Sequence, residues 1–72
     1  MTMALSETAQ QLLEIANELE AAAKHVITAH VHFSGGEVPR GCAHVLALEG
    51  HILRVRHLLD DIQLRHAEHA RP

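Results

Sequence analysis

The stretch Phe33-Ser34-Gly35-Gly36-Glu37-Val38-Pro39-Arg40-Gly41 decides the fold of this chain. It separates two long runs of helical periodicity, and its paired glycines stop the first run. Two start signals for the second run compete. Ser34 and Glu37 have capping-box spacing, with Phe33 and Val38 placed as a hydrophobic staple. Pro39 suits the first turn of a helix, where its missing N–H leaves no acceptor unpaired. The proline start is favoured, because a proline disfavours the helical conformation at the residue before it, here Val38. Either start leaves a connection so short that the two helices must be antiparallel neighbours.

Working outward, Leu5, Thr8, Leu12, Ile15, Leu19, Ala22, Val26, Ala29 and Phe33 alternate in steps of three and four. That is an unbroken a/d heptad track. Ala9, Ala16 and Ala23 widen it with small residues that permit close approach of another helix. On the other side of the bend, Val45, Leu48, Ile52, Val55, Leu59 and Ile62 repeat the spacing, and the track runs on to His66 and His69. Leu13 and Ile27, and likewise Leu46, Leu53 and Leu58, broaden the apolar face beyond a two-stranded seam. A stripe this wide faces more than one helix.

The expected fold is all-α: an antiparallel helical hairpin in one domain, residues 1–72. Helix one is placed near 4–33, the turn at 34–38 and helix two near 39–67. Each helix is about 27–30 residues, or roughly 40–45 Å. A pair this long leaves half its apolar surface wet. Assembly into a four-helix bundle by dimerisation is therefore expected, with a second protein as the alternative source of the missing helices.

Composition supports this reading. Seventy-two residues bury little surface, and small domains compensate with disulfides, metals or oligomerisation. The single cysteine, Cys42, excludes an internal disulfide and fits a reducing compartment. One aromatic residue, Phe33, argues against a β-sheet domain. The net charge is −3, carried by residues 1–33; the remainder is neutral. No basic footprint or stacking platform for nucleic acid is present. No apolar run reaches membrane-spanning length, and the first residues lack the pattern of a signal peptide, so a cytoplasmic protein is expected.

The unusual chemistry is eight histidines. Folding the chain about Gly36–Val38 sets His30 level with His44 and His32 level with Cys42. Imidazole and thiolate are the preferred ligands of zinc, copper and related ions, so His30, His32, Cys42 and His44 form a candidate metal site at the turn. Their i, i+2 spacing points them about 200° apart on a regular helix, so convergence requires the helix ends to unwind. His66 and His69 have the better i, i+3 spacing and continue the interior track. In an antiparallel dimer of hairpins they would approach His30 or His44 of the other copy. The ion would be zinc or copper, with nickel or cobalt as alternatives. His25 and His32, and likewise His44 and His51, are seven apart, too far to share an ion within one helix. His57 belongs to the solvent face. Cys42 is expected as a small buried hydrophobe, or as a reactive thiol near a helix N-terminus. Glu18 lies level with Arg56 and is expected to bridge to it.

Three functional readings follow. The first is a small homo-oligomeric interaction or regulatory protein, with histidines at the subunit interface and room for a protein partner. The second is a transition-metal binder. The third is a pH-responsive assembly, since protonating all eight histidines swings the charge from −3 to +5. An enzyme is not expected: there is no recognisable nucleophile–base spacing and no phosphate-cradling loop.

Overall fold

The computed structural model describes residues 2–68. Two helices, α1 (Met3–Ser34) and α2 (Val38–Arg65), pack against each other as a hairpin. Helix α1 begins at Met3, one residue before the expected start near residue 4, because Thr2 caps it. The Thr2 backbone is extended, and its hydroxyl accepts from the Leu5 N–H at 3.2 Å.

The bend is a Schellman turn. Gly36 takes φ 76°, the left-handed region. The Glu37 N–H reaches back to the His32 carbonyl at 2.8 Å, and the Gly36 N–H to the Phe33 carbonyl at 3.1 Å. Ser34 is the last residue of α1, so the capping-box start is ruled out. Helix α2 does begin with proline in its first turn, but one residue early, because Val38 is itself helical. The three-residue turn leaves no extended residue to absorb the usual proline effect. Glu37 flanks α2 without capping it. Its carboxylate instead accepts from His32 at 3.1 Å and Arg40 at 3.2 Å, stapling the two helix ends together. Gly36→Ala is expected to cost about 1–2 kcal/mol through backbone strain alone, since a Cβ there meets nothing within 4 Å. Denaturant titration against Gly36→Asn, which tolerates this conformation better, checks it.

The hairpin is a rod, 50 × 21 × 17 Å, with a radius of gyration of 16.1 Å. A compact domain of this length would have about 11 Å. Its heptads sort into three lanes. The d lane is the seam: Ile15, Ala22 and Ala29 of α1 and Gly41 and Val55 of α2 are buried, and Thr8, Leu48 and Ile62 half-buried. Small residues at Ala22, Ala29 and Gly41 bring the backbones close near the bend. A Cβ on Gly41 would stand 2.5 Å from the Phe33 ring, so the glycine is what seats that ring.

The a lane lies to one side of the seam. Leu5, Leu12, Leu19, Val26 and Phe33 of α1, and Val38, Val45, Ile52 and Leu59 of α2, all keep between 41% and 53% of their surface in solvent. The lane on the other side is polar. Gln11, Glu18, His25 and His32 of α1, at seven-residue spacing, face His44, His51 and Arg65 of α2, where half-buried Leu58 takes the seven-residue step between His51 and Arg65. One flank of the hairpin is therefore apolar and open, and the opposite flank polar and closed by hydrogen bonds.

Candidate functional site

The polar lane contains a ladder of four imidazoles. From the turn inward the order is His32, His44, His25, His51, alternating between the helices. Successive ring centroids lie 5.4, 5.2 and 5.4 Å apart. The outer pairs stack at interplanar angles of 20° and 24°, and the central pair is tilted by 38°. Two turns of helix separate partners on the same strand of the ladder, and each gap is filled by a ring from the other helix. That interdigitation needs the seven-residue spacing on both helices.

Each rung has a polar anchor. The Nδ1 atoms of His25 and His44 are 2.9 Å apart, so one of them carries the proton and donates it to the other. At the turn end, His32 donates through Nδ1 to Glu37. At the inner end, His51 Nδ1 lies 2.5 Å from Glu18 Oε2, and Arg54 Nε donates to Glu18 Oε1 at 3.0 Å. Arg54 Nη2 also lies 2.8 Å from His51 Nδ1, so imidazole, carboxylate and guanidinium meet at one point. The His51 and Glu18 side chains are only 19% and 24% exposed, so the pair is half-withdrawn from water.

Hydrogen bonds from His51 first, and then Arg54, hold the Glu18 carboxyl below its ordinary value of 4.5. A carboxyl lowered on folding adds stability above that value, and the contribution is lost as pH falls through the lower folded value. Glu18→Gln is therefore expected to flatten the fall of the thermal midpoint between pH 5 and pH 3. Unfolding followed by circular dichroism at half-unit steps measures it; parallel curves for both proteins would contradict the assignment.

A second polar cluster closes the open end of the hairpin. The Thr8 hydroxyl donates to the Ala4 carbonyl and accepts from His66 Nε2 at 2.7 Å and Arg65 at 3.1 Å. Arg65 also donates to Gln11 at 2.6 Å.

The residues singled out from the sequence distribute as follows. His32 and His44 come together in the ladder. His30 and Cys42 are exposed, each one position past the buried lane, and the Cys42 thiol is free. Cys42 is thus no part of the hairpin core. His66 stands at the opposite end of the rod on Thr8, as the residue that ends α2. His69 lies outside the described residues. Among the described residues, no group of three or more His, Cys, Asp or Glu side chains is placed to hold one metal ion. The helix ends at the turn do not unwind, so the i, i+2 pairs diverge as regular helices require. His57 is exposed, as its place on the solvent face implies. Glu18 bridges to Arg54 and His51 rather than to Arg56.

His25 and His51 are the functional candidates that matching by height overlooked. The signal was present: both histidine pairs repeat at seven residues on one flank. Height alone paired His30 with His44, whereas rotation about the helix axis puts His25 there. Comparison of the chain with protein-family models, curated proteins and solved structures returns no match. No helix of the described residues is long and apolar enough to cross a membrane.

Proposed function

We propose that this protein is a small self-associating interaction module. Two hairpins pair through their apolar flanks as a four-helix bundle, and the assembled bundle acts as a regulatory or docking protein rather than as a catalyst. The observation that carries this reading is the a lane: nine aliphatic or aromatic side chains in register, all about half exposed.

Magnitudes favour closure of this flank. The chain exposes 5535 Å². A folded monomer of its mass would expose about 4400 Å², so the hairpin carries an excess of roughly 1100 Å². A stable protein–protein interface buries about 800 Å² per partner. Covering the remaining half of each a-lane side chain is worth roughly 1 kcal/mol, so two copies together outweigh an association cost of about 4–15 kcal/mol. The lane also suits a second copy of itself, because it runs the length of the rod without a charged residue. Small residues Ala9, Ala16 and Ala23 border it on α1 and allow close approach. His30 and Cys42 border it near the turn, so pairing would bring them towards the other copy.

Sedimentation equilibrium of untagged protein tests the reading. The expected mass is twice the 7.9 kDa of one chain at micromolar concentration. A well-folded 7.9 kDa monomer at tens of micromolar would overturn it and assign the lane to a different protein.

A further inference from the structure

We infer that His25 and His44 form a metal clamp across the hairpin, taking one divalent transition-metal ion between their Nδ1 atoms. The site shares His44 with the sets read from the sequence but takes its second ligand, His25, from outside them, and both ligands come from one chain, so it does not depend on dimerisation.

The geometry begins with the 2.9 Å separation of the two nitrogens. In the free protein a single proton sits between two nitrogens that each own a lone pair when deprotonated. A metal ion competes for those same lone pairs. Imidazole nitrogens bind such ions at about 2.0–2.1 Å. Two nitrogens at that distance, subtending a right angle, stand about 2.9 Å apart; at the tetrahedral angle they stand about 3.3–3.4 Å apart. The observed spacing, that of an ordinary hydrogen bond, lies nearer the right-angled bite of a square-planar or octahedral ion, which favours nickel(II) or copper(II) over tetrahedral zinc. The torsion that turns each ring about its Cβ–Cγ bond is soft, so both lone pairs can be aimed at one point with little motion. Water fills the remaining positions.

The surroundings favour the ion in two ways. His32 stacks on His44 and His51 stacks on His25, covering the outer face of each ligand ring. Those outer rings are themselves tied down by Glu37 and Glu18. The two carboxylates put negative charge one ring beyond each ligand, partly offset by Arg40 and Arg54. A clamp joining α1 to α2 stabilises the folded hairpin over the open chain, where the two nitrogens are far apart.

Calorimetric titration of untagged protein with nickel chloride tests the clamp; nickel avoids reduction by the exposed Cys42 thiol. One nickel per chain is expected, with a rise in thermal midpoint. His25→Gln and His44→Gln should each weaken binding at least tenfold, while His30→Gln and His57→Gln leave it within twofold. Zinc should bind more weakly than nickel. In wild-type protein, nickel should broaden the imidazole proton–nitrogen signals of His25 and His44 before those of His30, His57 or His66, a readout that does not depend on any variant folding. No nickel bound at 100 micromolar, binding unchanged in both Gln variants, or broadening centred on another histidine would overturn the clamp. Zinc binding tighter than nickel would overturn the right-angled bite.

Discussion

Leu19→Glu combined with Ile52→Glu is expected to turn the assembled protein into a monomer while leaving the buried seam of the hairpin in place. Both residues sit mid-way along the a lane and are 47% and 45% exposed in the single hairpin. A glutamate at either position can keep its carboxylate in water as long as the lane is open. Closing the lane against a second copy would bury four carboxylates without partners. Each such burial costs several kcal/mol, and every 1.4 kcal/mol is tenfold in affinity. The dissociation constant should therefore rise by more than a thousandfold. Val31→Glu combined with Leu64→Glu changes the charge equally at positions 60% and 79% exposed, on the far side of the helices from the seam. That control should keep the dimer mass in sedimentation equilibrium. Loss of assembly in both double variants would point to net charge, not the a lane, as the cause.

Ile15→Ala should be the most damaging single truncation of the hairpin. Ile15 is 8% exposed and is, with Val55, one of the two large aliphatic side chains buried between the helices among the described residues. The rest of the buried seam is alanine and glycine. Removing three carbons from so thin a core leaves a void that small neighbours cannot fill by changing rotamer. The expected cost is about 2–4 kcal/mol. For a chain of this size that is a fall in thermal midpoint of roughly 10–25 °C. Leu13→Ala, at a position 58% exposed, should cost less than about 1 kcal/mol and serves as the comparison. Thermal melts at fixed protein concentration measure both. Equal effects would mean that the buried lane is not where the hairpin derives its stability.

Two levels of the molecule answer to different parts of the chain. Local sequence determined the elements. The period of the apolar residues makes α1 and α2 helical, and Gly35-Gly36 ends α1 because only glycine adopts the left-handed backbone of Gly36 without strain. The same heptads told that these helices carry more apolar surface than one partner can cover. Rotation of the helices about their own axes was not legible. A stripe that includes both a and d can pack on either flank with nearly the same burial, so periodicity alone does not choose. Tertiary packing made the choice through two contacts distant in sequence. Ala22, Ala29 and Gly41 let the backbones close on the d lane, and the seven-residue repeats of His25 and His32 against His44 and His51 stack ring on ring there, with His25 bonded to His44, His32 to Glu37 and His51 to Glu18. The bend read from Phe33 to Gly41 thus established that two helices meet. Which faces meet depended on small residues and imidazoles spread from the bend itself to about three turns away from it.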